Sequence, residues 1–244
     1  SGSTVSGITD TTNSNGEYTL SNLNAGSYTI EGTKDDHITT YFNAISCSGL
    51  SGLNANMSGV LAEGVMRIVL SWEGEQDLDS HLEIPCTSGT CSGNDSNDKS
   101  HLWYGTNNTA SDAYVCCDAS GDNISIRDYH DWGNGVYVTL DQDNVDGSAN
   151  GITSGGDWDG SDSSCGTGCG PETITITQVM SGDYRYHVHA YSQKEENSSR
   201  YLADNSTVVQ VFYDVNKSKN FYVPSAAGNL WTVFDYNKDS GFST

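Results

Sequence analysis

Apolar and polar residues alternate over short stretches along much of the chain, and clusters of Gly, Ser, Asn and Asp separate these stretches. Alternation with a period of two is typical of β-strands that bury one face, and the clusters are typical of turns. The segment "DLDSHLEI", residues 77–84, is one example. If it is a strand, Leu78, Ser80, Leu82 and Ile84 share one face, and Asp77, Asp79, His81 and Glu83 share the other. The second face collects carboxylates, which repel one another unless a neighbour neutralises them.

A series of strand patterns runs from residue 65 to near the end of the chain. The patterns lie at residues 65–72, 78–84, 100–105, 113–117, 135–141, 172–179, 183–192, 206–214 and 229–236. Many short strands of this kind predict a β-sandwich. The intervening segments 86–99, 118–134 and 146–171 are too long for simple hairpins, so we predict that they are surface insertions.

Shorter strand patterns alternate with turns over the first 45 residues, in "EYTLSNL", "SYTIEGTK" and "HITTYFNAI". The stretch 46–64 is rich in small residues and is predicted to be partly a linker. We therefore expect an all-β chain with two β-sandwich domains. The first is small and spans residues 1–60, and the second is larger, spans residues 61–244 and has long loops that carry disulfides.

Composition agrees with this fold and limits the partners. Gly, Ser, Thr, Asn, Asp and Tyr are plentiful while Lys, Arg, Glu and Leu are scarce, which disfavours helices. The chain carries 32 acidic against 10 basic residues, a formal net charge of -22, which disfavours a nucleic acid or an anionic membrane as partner. No apolar run reaches the roughly 18 residues of a membrane helix, and no basic-then-apolar leader begins the chain. We expect a soluble, mature form without membrane insertion.

The seven cysteines predict an oxidising compartment. Six of them are disulfide candidates: Cys86, Cys91, Cys116, Cys117, Cys165 and Cys169. Their spacings lack the C-x-x-C pairs of structural zinc sites, so disulfides are favoured over zinc. Local pairing within 86–91 and within 165–169 is one arrangement, but the adjacent pair at 116 and 117 can also bond to those loops. Cys47 is left over and is either free or bonded to another chain.

The stretch "TDTTNSNGEYTLSNLNAGSYTI", residues 9–30, resembles the carboxypeptidase-regulatory-like, transthyretin-like β-sandwich module of many surface proteins. The resemblance covers residues 1 to about 45 and implies a structural module without an active site. Such modules usually begin with an additional strand before the point where this sequence starts, so we expect a vacant sheet edge. The C-terminal segment or a neighbouring subunit can supply a strand there; alternatively, the module tolerates the shorter edge, or the sequence is trimmed at this end.

A second series of motifs resembles the extracellular domain of the DUF2135-related group in prokaryotic surface proteins. The series comprises "RIVLSWEGEQDLDSHLEIP", "HLWYGT", "VYVTLDQDNVDG", "GPETITI", "GDYRYHVHAYS" and "LWTVFDY". It covers most of residues 64–236 and implies a β fold rather than a particular activity. Asp77 with Asp79, and Asp141 with Asp143, occupy the two recurring acidic motifs of that group.

Pairing of the two strands that carry these motifs is expected to bring four carboxylates together, which is costly unless a cation binds. We expect calcium, because it accepts several oxygen ligands in irregular geometry. The loop "DWDGSD" offers Asp157, Asp159 and Asp162 as a second calcium site, while the other Asp/Asn-rich turns are interpreted as plain turns. Glu172 is a further candidate ligand, although a solvated carboxylate at a strand edge is the simpler interpretation.

His187 and His189 share a face of the predicted strand 183–192, a spacing that can hold zinc or copper. No third nitrogen or sulfur ligand lies at a recognisable distance in the sequence, so we interpret them as packing or surface residues. His81 lies on the acidic face and is expected at most to hydrogen-bond a ligating carboxylate. The chain has no nucleophile elbow, Cys/His nucleophile signature or phosphate-binding glycine loop, which predicts that it is not an enzyme.

Trp132 and Trp158 lie in predicted loops and are candidates for stacking on sugar rings, whereas Trp72, Trp103 and Trp231 are expected to pack. Together these features predict an extracellular, cell-surface structural or adhesive protein, stabilised by calcium and disulfides. We expect it to assemble with copies of itself into a filament by strand pairing. The alternative is a carbohydrate-binding or adhesion module that recognises a surface glycan.

Overall fold

A computed structural model of the chain describes residues 8–46, 55–72, 77–85, 99–103, 129–133, 136–142, 171–191, 200–204 and 207–244. Within these ranges the chain is all-β, as predicted, with one helix of four residues, α1 (Tyr201–Asp204). The strands are β1 (Gly26–Gly32), β2 (Thr40–Ser46), β3 (Met66–Ser71), β4 (Leu78–Pro85), β5 (Lys99–Leu102), β6 (Tyr129–Gly133), β7 (Val136–Gln142), β8 (Glu172–Ile176), β9 (Asp183–Ala190), β10 (Val208–Tyr213), β11 (Lys217–Tyr222), β12 (Leu230–Asn237) and β13 (Gly241–Ser243).

Two antiparallel sheets pack face to face into a β-sandwich. The six-stranded sheet has the order β11-β10-β3-β8-β7-β6, and the five-stranded sheet has the order β13-β12-β9-β4-β5. Both sheets contribute inward side chains to one core, which includes Leu70, Leu82, Ile174, Val188 and Val211. These are the apolar faces that the alternation in the sequence predicts, and burying them removes apolar surface from water. The predicted β-sandwich character is confirmed.

Most of the strand patterns contain an observed strand, but three strands have no predicted counterpart. These are β6, β11 and β13. The sequence of β11, "KSKNFY", conceals its strand character because only Phe221 within it is buried and polar residues fill the rest of an edge strand. β13 is only three residues long. The pattern at 113–117 lies outside the described residues.

The strand predicted within "EYTLSNL", residues 17–23, is wrong. These residues are not paired in a sheet, because nearby side chains bind the backbone instead. The Asp10 carboxylate accepts a hydrogen bond from the Thr19 N–H at 2.6 Å, and the Asn13 side-chain oxygen accepts one from the Glu17 N–H at 3.0 Å. Asp and Asn side chains compete in this way with sheet pairing for backbone donors.

The hairpin of β1 and β2 forms a two-stranded sheet, which contacts the outer face of the six-stranded sheet. The Gln210 amide donates to the Thr40 hydroxyl at 3.0 Å, and both side chains are buried. A second, smaller core consists of Ile38, Leu61, Val69 and Phe212. The segments before and after residue 60, the predicted domain boundary, therefore share polar and apolar contacts. The division of the chain into two domains stays a prediction.

Two tyrosines of β9 face the core and link stability to alkaline pH. The Tyr186 hydroxyl hydrogen-bonds the Ser80 hydroxyl at 2.7 Å, and the Tyr184 hydroxyl accepts the Met180 N–H at 2.8 Å. Burial raises the pKa of both phenols, so the native chain keeps protons that an unfolded chain loses. The unfolded state then binds fewer protons, and we expect the free energy of unfolding to fall above about pH 10, by roughly 1.4 kcal/mol per pH unit for each tyrosine.

Denaturant titrations at a series of alkaline pH values measure this slope. The variant Tyr186→Phe is the matched control, because phenylalanine fills nearly the same space but has no phenolic proton to lose. It should show a shallower alkaline slope than the native chain. An unchanged slope would contradict the role of Tyr186 in this pH dependence.

Candidate functional site

Four of the six histidines lie together on the outer face of the five-stranded sheet: His81, His101, His187 and His189. The register of β4 against β9 places three polar pairs directly opposite each other: Asp79 with His189, His81 with His187, and Glu83 with Arg185. On the other face of β4, Leu78, Leu82 and Ile84 are fully buried, which confirms the predicted alternation. We call this outer surface of β4, β5 and β9 the histidine face.

β12 borders the histidine face and contains a β-bulge between Thr232 and Phe234. The extra residue lets both Val233 and Phe234 face the core, while Thr232 stays on the outer face. There the Thr232 hydroxyl hydrogen-bonds His187 Nδ1 at 3.0 Å. Beyond the bulge, Asp235 accepts two hydrogen bonds from the Arg185 guanidinium, at 2.6 and 3.1 Å. The bulge therefore keeps Thr232 and Asp235 on the same outer face, although they are three residues apart.

The carboxylates of β4 lie beside basic groups of β9. Asp79 Oδ2 is 3.8 Å from His189 Nδ1, and Glu83 Oε1 is 3.6 Å from His187 Nε2. Burial lowers the pKa of His187, although the neighbouring Glu83 opposes that shift. Histidines of β9 thus lie beside the acidic side chains of β4 and offer them hydrogen-bonding partners.

His81 lies at the centre of the histidine face. Its Nδ1 is 2.9 Å from His101 Nε2, and its ring stacks on those of His101 and Trp103, with centroids 5.0 and 5.6 Å away. Its Nε2 is buried and has no hydrogen-bond partner among the described residues. Burial, with the neighbouring histidines, lowers the pKa of His81 to about 3, so the imidazole is neutral at physiological pH.

Three ligand-type side chains converge beside His81. Asp79, His81 and His189 each offer one oxygen or nitrogen atom, and these three atoms lie within 4.8 Å of one another. Asp79 is 3% exposed, so the group lies at the edge of the protein interior rather than free in solvent. Two imidazoles and one carboxylate are a donor set that transition-metal ions accept.

The pairing predicted to join the two acidic motifs is not formed. β4 pairs with β9 and β5, whereas β7, which contains Asp141, pairs with β8 and β6 in the other sheet. Of the predicted calcium ligands, Asp77 and Asp79 have described side chains, and the Asp77 carbonyl accepts the Tyr191 N–H at 3.0 Å. The side chain of Asp141 lies outside the described residues, as do Asp143, Asp157, Asp159 and Asp162.

Glu172 is buried, contrary to the interpretation of it as a solvated strand-edge carboxylate. It is 1% exposed, and its Oε2 accepts the Ser80 N–H at 2.7 Å. Glu172 begins β8 in the six-stranded sheet and Ser80 lies in β4 of the other. The carboxylate therefore hydrogen-bonds across the sandwich, which the sequence of one strand does not reveal.

Several predicted site residues cannot be placed. The disulfide candidates Cys86, Cys91, Cys116, Cys117, Cys165 and Cys169 lie outside the described residues, as do Cys47 and Trp158. Trp132 lies in β6, but its side chain is also outside them. Trp72 is buried and Trp231 packs against the core, as predicted. Trp103 packs on the imidazoles of the histidine face.

His81 and His101 are the site residues that sequence reasoning undervalued. His81 was assigned no more than a hydrogen bond to a ligating carboxylate, and His101 had no role. The alternation of residues in the two strand patterns contained a signal for this site. Asp79 and His81 share one face of their predicted strand, as His187 and His189 share one face of theirs. Only the register of β4 between β5 and β9 brings these side chains together.

No protein-family profile, curated protein sequence or solved structure matches this chain. The resemblances to the carboxypeptidase-regulatory-like module and to the DUF2135-related group therefore stay predictions from motifs. In the part of the chain that the structure describes, no helix has the length and apolar character needed to cross a membrane.

Proposed function

We propose that this chain is a structural or adhesive component of an extracellular surface, which assembles with copies of itself through strand pairing at the free edge of β1. The observation that carries the proposal is this edge. Among the described residues, β1 has β2 as its only sheet neighbour. A strand with unpaired backbone groups is a template for a strand from another chain.

The hydrogen bonds of β2 indicate which backbone groups of β1 point outward. The Asn43 N–H donates to the Tyr222 hydroxyl, and the Tyr41 carbonyl accepts from the Asn220 amide, so these β2 groups point away from β1. In β1, Thr29 lies opposite Asn43 and Glu31 lies opposite Tyr41. Ser27, opposite Ile45, continues the same alternation. In an antiparallel ladder such partners also direct their N–H and C=O groups away from the pair. Ser27, Thr29 and Glu31 therefore present the free edge.

The opposite edge of the hairpin is closed by the sandwich. Side chains of β11 hydrogen-bond the outward backbone groups of β2. The Ser218 hydroxyl also donates a hydrogen bond to the Thr39 carbonyl at 3.2 Å. The hairpin is thereby held on the sandwich along one edge, and its other edge has no strand neighbour in the part of the chain that the structure describes. Strand addition at that edge would transmit force into the sandwich through many backbone hydrogen bonds.

The net charge of -22 opposes self-association. Copies of the chain repel one another, and salt screens this repulsion over about 8 Å at physiological ionic strength. Calcium bound to acidic loops would reduce the net negative charge of the chain and so weaken this repulsion. Disulfides would stiffen the long insertions. Both remain parts of this proposal.

The variant Thr29→Pro tests the proposal, because proline removes an outward N–H while leaving the β1–β2 hydrogen bonds in place. We expect the native chain to form fibres in negative-stain micrographs as salt and protein concentration rise, and Thr29→Pro to remain dispersed. The matched control is Thr29→Val, which loses the side-chain hydrogen bond to Asn43 Oδ1 but keeps the N–H.

Fibres from Thr29→Pro as abundant as those of the native chain would overturn the proposed edge. A native chain that stays dispersed under every condition and binds glycans would instead support the carbohydrate-binding alternative with Trp132 and Trp158 as stacking residues.

A further inference from the structure

We propose that Asp79, His81 and His189 form a binding site for a divalent first-row transition-metal ion of the zinc type. The site joins β4 to β9 on the histidine face and does not depend on the self-assembly proposed above. It also replaces the expectation of calcium at Asp79 with an ion of different chemistry.

The spacing of the three side chains is close to what such an ion requires. Zinc holds nitrogen and oxygen ligands at about 2.0–2.1 Å in tetrahedral geometry, which separates the ligand atoms by roughly 3.4 Å. Asp79 Oδ2 and His189 Nδ1 are 3.8 Å apart, and the three ligand atoms lie within 4.8 Å of one another. A movement of roughly 1 Å by one imidazole would bring the three ligand atoms to the separations that a tetrahedral ion requires. Rotation of the side chain can supply a movement of this size.

The donor atoms select against calcium. Calcium takes oxygen ligands, and this group supplies two imidazole nitrogens for one carboxylate. Imidazole suits zinc, copper, iron and nickel, for which mixed histidine and carboxylate sites are common. Three protein ligands leave a coordination position for a water molecule.

His101 positions His81 for this role. Because His81 Nδ1 is 2.9 Å from His101 Nε2, its buried Nε2 is the nitrogen left for the metal. A neutral imidazole that binds through Nε2 carries its proton on Nδ1 and donates it to His101. Metal-binding histidines are oriented by such a hydrogen bond on their second nitrogen. Trp103 stacks on both rings and restricts their rotation.

Calorimetric titration of the full chain with zinc chloride, after treatment with chelator, tests the site. We expect His189→Gln to weaken the tightest zinc binding by more than about 100-fold, since it removes a direct ligand. The matched control is His37→Gln, which also removes one imidazole, but from a turn where His37 Nδ1 contacts the Asp35 carbonyl. Its affinity should stay within about threefold of the native value.

Three further variants keep the test independent of folding defects. His81→Asn removes the central ligand and should reproduce the loss seen in His189→Gln. His101→Phe should weaken zinc binding roughly 10- to 100-fold, and His101→Gln, which keeps a hydrogen-bond acceptor, should restore part of it. Equal losses in both His101 variants would mean that His101 is merely structural.

Cobalt gives a spectroscopic readout of the same site. Cobalt bound by two imidazoles and a carboxylate should show no thiolate-to-metal charge-transfer band, whereas binding at cysteines would produce one. Zinc affinity unchanged by His189→Gln, or calcium bound at this site as tightly as zinc, would overturn the proposal.

Discussion

Phe234→Ala is expected to lower the free energy of unfolding by about 3–5 kcal/mol, because it leaves a cavity at a contact between the two sheets. Phe234 is 1% exposed. Its ring stacks on Tyr186 at 5.4 Å and on Phe221 at 5.0 Å, and meets Phe242 edge-on at 5.1 Å. Phe221 belongs to the six-stranded sheet and the other rings to the five-stranded sheet, so the cluster joins both layers.

Denaturant unfolding monitored by circular dichroism measures this loss. Leu230→Ala is the matched control, since Leu230 lies on the outer face of the same strand and is 55% exposed. It should change stability by less than about 0.5 kcal/mol. Similar losses in the two variants would contradict the assignment of Phe234 to the shared core.

Glu172→Ala is expected to lower the free energy of unfolding by about 2–3 kcal/mol. The substitution removes the acceptor of the buried Ser80 N–H. The penalty arises from leaving a buried donor without an acceptor.

Glu172→Gln is the matched control, because its amide oxygen can still accept the Ser80 N–H. We expect it to be more stable than Glu172→Ala. Thermal and denaturant unfolding of both variants measure the difference. If Glu172→Ala is as stable as the native chain, the bond between the sheets contributes nothing to folding.

Alternation in single strands predicted the composition of each face well. In residues 77–84 it separated the buried Leu78 and Leu82 from the polar His81 and Glu83. The physical reason is that a strand directs successive side chains to opposite faces, so one buried face determines the other. The pattern of β9 separated its inward tyrosines from its outward histidines in the same way.

Alternation does not show which strands are neighbours, and the candidate site depends on that. Asp79 was predicted to meet Asp141 across paired strands, but its cross-strand partner is His189. The neighbour of Asp79 is thus an imidazole nitrogen instead of a second carboxylate oxygen. A different metal ion is therefore expected at this position. Partner choice is decided by long-range packing of the sandwich, for which a local pattern carries little information.

Local hydrogen bonding also overrode alternation. Residues 17–23 have a strand pattern, yet the side chains of Asp10 and Asn13 bind their backbone donors. In β12 the bulge at Val233 shifts the alternation by one residue, so Val233 and Phe234 are both buried. Neither effect follows from the spacing of apolar residues.

Amide hydrogen exchange over residues 26–32, compared between dispersed chains and fibres, tests the proposed strand addition most directly. We predict that the N–H groups of Ser27, Thr29 and Glu31 exchange readily in dispersed chains and are protected on assembly, by a factor on the order of 100 or more. The N–H groups of Tyr28 and Ile30, which point toward β2, should be protected in both states. Equal exchange of the Thr29 N–H in dispersed chains and in fibres would contradict strand addition at β1.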